Sequence, residues 1–389
     1  MKIQSLDIFC DIIDNFGDIG VVYRIAKELK KKYLDEIKIR VFLNRLDEFM
    51  AINKRCQDLE IQEIDGITYI KESYLVKNIC TIETANVIIE AFGCNIFEGY
   101  LTKAKKESSL LINLEYLSAE DWIEDFHLQE SFLGAPKLKK YFFMPGFTEK
   151  TGGVIVDSLF LERKEKVLKN KEKYLEKYLN EIDYSNKMIG TIFSYEKNYM
   201  NLLEQLKDYK KEILLLLMGE KTQNSFKEIF KEISVENFGK TYKYGKITMH
   251  FMEFLNQEEY EEVINVVDFN FVRGEDSFIR ALLTGKPFLW HAYLQDELGH
   301  MDKVEGFIDK ENKILCEKYK DVLHKHSKLL RDYNFRRENS LERSGEDYLD
   351  FFENIDSLNN ISSDYSEFLI KKCNLINKLY NFIESFKED

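Results

Sequence analysis

The most informative stretch of this 389-residue chain reads Asp268-Phe269-Asn270-Phe271-Val272-Arg273-Gly274-Glu275-Asp276-Ser277-Phe278-Ile279-Arg280-Ala281. Its first half is apolar and aromatic and predicts a short buried strand, and its second half predicts a helix that begins at Gly274. The first N–H groups of a helix have no intrahelical partner and attract anions such as a diphosphate. Glu275 and Asp276 repel an anion unless they face hydroxyl groups, so the combination indicates a nucleotide sugar. The alternative is that Glu275, Asp276 and Ser277 only cap the helix.

Strands and helices alternate in both halves of the chain. We predict strands at residues 3–10, 37–43, 87–91, 110–114, 188–193, 213–218, 248–251 and 266–272. This alternation is typical of α/β domains with parallel sheets. The sequence therefore predicts an N-terminal Rossmann-like domain (1–155), a linking helix (156–186), a second Rossmann-like domain (187–360) and a C-terminal helix (361–389) that packs back on the first domain.

Composition excludes several classes of protein. The net charge of −13 argues against non-specific binding of nucleic acid. The longest apolar runs, such as residues 213–218, are far shorter than the ~20 residues of a membrane helix, and no secretory signal is evident. Six cysteines without a C-x-x-C pair indicate reduced thiols rather than a zinc site. We therefore expect a cytoplasmic protein with no membrane and no nucleic-acid partner.

Two aspartates follow the first predicted strand, in a glycine-bearing loop at residues 11–20. Asp14 and Asp18 lie beyond the carboxyl end of that strand, where open α/β sheets bind ligands. The loop lacks the G-x-G-x-x-G spacing of a dinucleotide site and places acids where a pyrophosphate would approach. The acids indicate a general base or a cation-binding role; the alternative is a solvated loop in which Asp18 caps the following helix.

Aromatic residues follow two strands of the second half. Phe193 and Tyr195 come after the strand at 188–193, and Phe254 with Gln257 comes after the strand at 248–251. At the carboxyl ends of one sheet these side chains predict a pocket that sandwiches and hydrogen-bonds a nucleotide base. Taken singly, each of these side chains is more typical of a core position than of a binding site.

Five longer motifs resemble one family, the EarP protein-arginine rhamnosyltransferases of translation elongation factor P (EF-P). They lie at residues 14–20, 113–122, 141–153, 271–278 and 285–291. The resemblance extends from the N-terminus to about Gln295. It weakens between about 155 and 187 and after about 307, where the chain is rich in lysine and glutamate.

The resemblance implies a GT-B glycosyltransferase fold, with two Rossmann-like domains facing a central cleft. It implies inverting transfer of rhamnose from dTDP-β-L-rhamnose to an arginine in a loop of the N-terminal domain of EF-P, which activates that factor for ribosomes stalled at polyproline. The first domain would bind EF-P and the second the nucleotide sugar.

The resemblance also implies roles for individual residues. Asp18 is implied as the general base, with Asp14 and Glu275 also needed for activity. The implied substrate-binding residues are Phe193, Tyr195, Phe254 and Gln257 for the thymine nucleoside, Glu275, Asp276 and Ser277 for the diphosphate and sugar, and Asn15, Phe16, Gly17, Arg273 and Gly274 as further contacts. No D-x-D motif is placed to hold a metal at the diphosphate, so we expect no metal and no cofactor besides the co-substrate.

The chemistry of the acceptor agrees with this interpretation. A guanidinium is protonated and a poor nucleophile, so carboxylates must orient it and remove a proton as the C–N bond forms. Two alternatives remain: a GT-B transferase with another nucleotide sugar or acceptor, and a non-catalytic binding module for EF-P. The presence of Asp14, Asp18 and Glu275 argues against the second.

Overall fold

The structure is a computed structural model that describes residues 3–13, 15–34, 36–180, 182–230, 239–335 and 345–386, with all side chains in these ranges except those of Asn15, Phe16 and Asp296. The strands are β1 (Ser5–Cys10), β2 (Lys38–Leu43), β3 (Ile61–Ile64), β4 (Ile67–Lys71), β5 (Val87–Ala91), β6 (Leu110–Leu114), β7 (Glu130–Ser131), β8 (Lys139–Phe143), β9 (Met188–Ile192), β10 (Ile213–Leu217), β11 (Thr241–Tyr244), β12 (Ile247–Phe251), β13 (Phe269–Arg273) and β14 (Phe288–His291). The helices are α1 (Asn15–Lys32), α2 (Asp47–Ile52), α3 (Glu72–Asn78), α4 (Glu98–Glu107), α5 (Trp122–Phe126), α6 (Ser158–Lys169), α7 (Lys171–Leu179), α8 (Met200–Leu206), α9 (Glu220–Ile229), α10 (Gln257–Val266), α11 (Asp276–Thr284), α12 (Gly299–Asn334), α13 (Tyr348–Glu353), α14 (Ile355–Lys372) and α15 (Leu375–Ser385).

The chain divides into two compact units. It leaves the first unit after Ser158, forms the whole second unit, and returns to the first after Phe368. The domain boundaries at 155, 186 and 360 stay predictions of the sequence. In the structure, residues 159–186 group with the second unit.

The first unit is built on an eight-stranded sheet of order β3-β4-β2-β1-β5-β6-β8-β7. Its six inner strands are parallel, and the edge strands β3 and β7 pair antiparallel to their neighbours. The inner strands are mostly apolar, which is typical of parallel sheets whose two faces are covered by helices. Asp7 of β1 is an exception: it is fully buried and forms a bidentate ion pair with Arg40 of β2.

The last helix, α15, completes the core of the first unit. Leu375, Ile376, Leu379 and Ile383 lie on one helical face and are buried in the same cluster as the sheet and α1. The chain is fixed just before this helix, where the N–H of Val154 donates to the carbonyl of Cys373 at 2.7 Å. Residues distant in the sequence therefore share one core.

The second unit has a six-stranded sheet of order β11-β12-β10-β9-β13-β14, in which only the edge strand β11 is antiparallel. The prediction of two α/β units with largely parallel sheets is thereby confirmed. Helices α6 and α7 cover the region predicted as a solvated linking helix. They bury Val167, Leu175 and Leu179 in the core of this unit, and the two leucines of α7 are four residues apart, on one helical face.

Three local features differ from the sequence predictions. Helix α1 begins at Asn15, so the predicted loop at residues 11–20 is a loop only in its first part. The hairpins β3–β4 and β11–β12 were not predicted in full.

None of the helices in the described ranges combines the length and apolar character that a membrane span requires. All six cysteines lie in described positions and are free thiols.

Candidate active site

The candidate base, Asp18, lies where the strand order of the first sheet reverses. Strand β1 has β2 on one side and β5 on the other, and open α/β sheets bind ligands at such a switch point. Asp18 is in the first turn of α1, directly beyond the carboxyl end of β1, where a helix favours an acid. It is buried, with an exposed fraction of 2%.

Both carboxylate oxygens of Asp18 are held by hydrogen bonds. The backbone N–H of Ile13 donates to Oδ2 at 2.9 Å, and the hydroxyl of Tyr116 donates to Oδ1 at 3.1 Å. Tyr116 follows β6, and its ring stacks on that of Phe92 after β5, with ring centroids 4.5 Å apart. The loops after three neighbouring strands thus fix the orientation of one carboxylate.

Four other predicted site residues, at positions 14–17, directly precede Asp18 in the sequence. Asp14 lies outside the described residues. Asn15 and Phe16 belong to the first turn of α1, and their side chains are likewise outside the description. Gly17 is in the same turn and is exposed. Their roles in binding stay predictions.

The second unit brings three predicted residues together at its own switch point, between β9 and β13. Phe193 and Tyr195 follow β9, and Arg273 is the last residue of β13. The guanidinium carbon of Arg273 lies 4.5 Å from the ring centroid of Phe193 and 5.1 Å from that of Tyr195. Burial lowers the pKa of Arg273, but a guanidinium stays charged throughout the accessible pH range. A cation backed by two aromatic rings therefore borders the start of α11.

Gly274 connects this arginine to the helix. Its φ of 64° is in the left-handed region, and a Cβ added there would lie 3.4 Å from the hydroxyl of Tyr195. Its N–H donates to the carbonyl of His291 at 3.2 Å, and its carbonyl accepts from the indole of Trp290 at 2.8 Å. The N–H of Gly274 is thus already bonded, which leaves the N–H groups of the first turn of α11 for an anion.

The acids at the start of α11 are exposed. Glu275 occupies the N-cap position without a side-chain cap, and its carboxylate lies 3.2 Å from the ammonium of Lys303. Asp276 is 3.8 Å from Nε of Arg280. Ser277 is half-buried in the same turn. The carboxylate of Glu275 is accessible to a ligand.

Phe254 and Gln257 follow β12, and β10 separates that strand from β9. Phe254 is 94% exposed, and Gln257 is the exposed first residue of α10. An exposed phenylalanine at the carboxyl edge of a parallel sheet is suited to cover a planar ligand.

Two neighbours of the site are not among the predicted site residues. Lys303, the partner of Glu275, comes 28 residues later on α12, where no sequence motif marks it. His291 ends β14 and packs edge-on against Tyr195 with ring centroids 5.3 Å apart. Burial lowers the pKa of His291 to about 3, so this ring is neutral at the pocket wall. Both contacts depend on tertiary structure.

Comparison with known proteins gives a consistent result. A family model described as elongation-factor P (EF-P) rhamnosyltransferase EarP matches residues 6–384. The protein-arginine rhamnosyltransferase of Shewanella oneidensis is 33% identical over 318 residues, which are 78% of this chain and 79% of that protein. That of Pseudomonas aeruginosa is 32% identical over 315 residues, 78% of this chain and 81% of that protein.

Solved structures support the same fold. One that describes the structural basis for EarP-mediated arginine glycosylation of translation elongation factor EF-P has a TM-score of 0.64 at 19% identity, covering 98% of this chain and 99% of that chain. A glycosyltransferase of Rickettsia africae has a TM-score of 0.52 at 13% identity, covering 100% and 99%. The fold class is GT-B, as predicted. With a family model that spans nearly the whole chain and relatives above 30% identity, this chain belongs to the EarP family of EF-P rhamnosyltransferases.

Proposed function

We propose that this protein transfers rhamnose from dTDP-β-L-rhamnose to one arginine side chain of EF-P, with inversion at the anomeric carbon. The observation that carries the proposal is the carboxylate of Asp18, buried at a sheet switch point and oriented by two hydrogen bonds. Relatives named protein-arginine rhamnosyltransferase support the acceptor and the sugar.

The acceptor arginine requires a base of this kind. Each carboxylate oxygen has two lone pairs, so Asp18 can accept from a guanidinium while Ile13 and Tyr116 hold its plane. In the proposed step, Asp18 takes a proton from the guanidinium as the nitrogen attacks the anomeric carbon. The bond between that carbon and the diphosphate oxygen breaks, and its electron pair leaves with dTDP. One attack from the face opposite the leaving group gives inversion.

The donor half supplies positive charge for the leaving group. The first-turn N–H groups of α11 and the guanidinium of Arg273 are available to a diphosphate, and such preorganised donors stabilise charge as it develops. We assign the thymine base to Phe193, Tyr195, Phe254 and Gln257, and the sugar hydroxyls to Glu275 and Asp276. We propose that these groups make a metal ion unnecessary and that the reaction takes place in the cytoplasm, where translation factors act.

The test is the intact mass of EF-P from the same organism after incubation with this protein and dTDP-β-L-rhamnose. We expect the added mass of one deoxyhexose, located on a single arginine by fragmentation. No change in mass while dTDP still binds would refute the acceptor but keep the donor pocket. Tighter binding of UDP or GDP than of dTDP would refute the donor. A reaction abolished by EDTA and restored by Mg²⁺ would refute metal independence.

A further inference from the structure

A chain of buried hydroxyl groups lies directly behind the segment that carries Phe193 and Tyr195. The hydroxyl of Tyr199 donates to Oγ of Ser194 at 2.6 Å, and Oγ of Ser194 donates to the carbonyl of Tyr195 at 2.9 Å. The hydroxyl of Tyr333 lies 2.7 Å from that of Tyr199. Because the proton of Tyr199 is used toward Ser194, Tyr333 is the donor in this last bond. Three hydrogen bonds thus run in one direction and end on the backbone of Tyr195.

An ion pair fixes the same segment two residues further on. The ammonium of Lys197 lies 2.5 Å from the carboxylate of Glu346, which is only 2% exposed, and donates to the carbonyl of Tyr333 at 3.0 Å. The carbonyl of Glu346 accepts from the amides of Asn201 and Gln205, both at 2.9 Å. Residues 333 and 346 therefore hold the loop and the helix that follow β9.

Asn334, the residue after Tyr333, holds the end of β14. Asn334 accepts from the N–H of Ala292 at 2.8 Å and donates to the carbonyl of Trp290 at 2.8 Å. His291 lies between Trp290 and Ala292 in the chain. The centroid of its ring is 5.3 Å from the ring centroid of Tyr333 and 5.3 Å from that of Tyr195. The last turn of α12 is thus bonded to both segments that border Tyr195.

The buried hydroxyl groups of Tyr199 and Tyr333 constrain the backbone at Tyr195. A buried polar group is costly unless fully bonded, and apolar side chains of similar shape often stabilise a core equally well. A chain of hydrogen-bonded hydroxyl groups instead favours one geometry, because the bonds are directional and each one strengthens the next. Here the end of the network is the backbone at Tyr195, whose ring contacts Arg273. The network therefore links the core of the second unit to the pocket.

We propose that Tyr333 and Tyr199 are positioning residues for the nucleotide pocket, and that they set the orientation of Tyr195 through Ser194. The inference rests on the proposed function in one respect: it takes the pocket at Tyr195 to bind dTDP. None of these hydroxyls is expected to touch the ligand.

The experiment is calorimetric titration of dTDP into the full chain and its Tyr199→Phe and Tyr333→Phe variants, together with kcat and KM for transfer. We expect Tyr199→Phe to weaken dTDP binding and to raise the donor KM by about three- to tenfold, the effect of one neutral hydrogen bond. The KM for the acceptor should stay unchanged. The double variant should bind dTDP no more weakly than Tyr199→Phe alone, because both changes break the same chain.

Matched controls separate positioning from stability. Tyr69→Phe removes the hydroxyl of another fully buried tyrosine, in the first unit, which makes no hydrogen bond to any described residue. We expect it to leave the Kd for dTDP within twofold of that of the unmodified protein. Ser194→Ala removes the last hydroxyl group of the hydrogen-bonded series with a smaller change in side-chain volume. It replaces Tyr199→Phe in the experiment if that variant does not fold.

The outcomes are distinct. An unmodified protein that does not bind dTDP would overturn the proposed function. If it binds, and Tyr199→Phe or Ser194→Ala binds within twofold of it, the positioning role is wrong. An equal rise in the KM for donor and acceptor would also overturn it, because a general loosening of the protein predicts that result.

Discussion

At the scale of single residues, Asp18 allows the sharpest test of the proposed chemistry. Asp18→Asn keeps the shape of the side chain but removes the base, so we expect the rate of transfer to fall by about 100-fold or more. The Kd for dTDP should not change, because Asp18 belongs to the first unit. Asp11→Asn is the matched control: this carboxylate, at the same strand end, accepts from the N–H of Asn95. If Asp18→Asn also lost dTDP binding, the assignment of Asp18 to acceptor chemistry rather than donor binding would be wrong.

Phe254 tests the donor pocket. Phe254→Ala should weaken dTDP binding by roughly 1–3 kcal/mol, the usual contribution of an aromatic ring stacked on a base. Since Phe254 is 94% exposed, the fold should tolerate the change. Phe132→Ala removes an equally exposed ring, at 96%, from the first unit and should have no effect. Equal dTDP affinity in all three proteins, measured by calorimetry, would remove Phe254 from the pocket.

Glu311 predicts a pH dependence of stability. It is fully buried, neither oxygen accepts a hydrogen bond from a described residue, and burial raises its pKa to about 8. Its neighbour His326, 3.8 Å away, has a pKa lowered to about 4 by burial and is neutral. Between about pH 4.5 and 8 the unfolded chain loses the Glu311 proton while the folded chain keeps it. The contribution of Glu311 to the free energy of unfolding therefore falls as pH rises, by at most ~1.4 kcal/mol per pH unit.

Glu311→Gln should remove this dependence. We expect the variant to gain more stability over the unmodified protein at pH 7.5 than at pH 5.5, measured by chemical denaturation. Glu317→Gln, an exposed position on the same helix, should gain nothing at either pH. Parallel pH profiles for the Glu311→Gln variant and the unmodified protein would show that Glu311 ionises normally in the fold.

At the scale of elements, Gly153 links the loop after β8 to the last helix. Its φ is 82°, and a Cβ at this position would collide with the carbonyl of Cys373. We expect Gly153→Ala to destabilise the first unit by at least ~1–3 kcal/mol. Gly20→Ala, inside α1 with open space around it, should be neutral or slightly stabilising. Similar melting temperatures for the two variants would contradict this account.

The elements also show how far the sequence could predict the fold. Parallel strands bring their carboxyl ends to one edge, so the order of strands and helices was sufficient to place Asp18 and the start of α11. The hairpin β3–β4 was missed although Asp65-Gly66 is a two-residue turn signal, and both residues have positive φ. Its first strand is short and largely exposed, which weakens the alternation. Tyr333 lies 134 residues from Tyr199, and no local pattern could have predicted their contact.

At the scale of the whole molecule, removal of residues 374–389 should destabilise the first unit and leave the second unit folded. The four buried side chains of α15 contribute about 1.5–3 kcal/mol each, which is comparable with the total stability of a domain. We expect the first unit to unfold while the second still binds dTDP, as followed by thermal unfolding and calorimetry. Asn381→Ala, on the exposed side of α15, is the control. A truncated protein with an unchanged melting profile would show that α15 is dispensable.

The interruption of the first unit by the second has a consequence for biosynthesis. Residues 369–386 leave the ribosome only after the whole of the second unit has emerged. The second unit can therefore fold during translation. The residues up to Ser158 cannot complete their core until α15 has been synthesised, and part of their apolar surface stays exposed until then. A chaperone has that interval in which to bind, and a message cut short before codon 375 yields a folded second unit beside an unfinished first one.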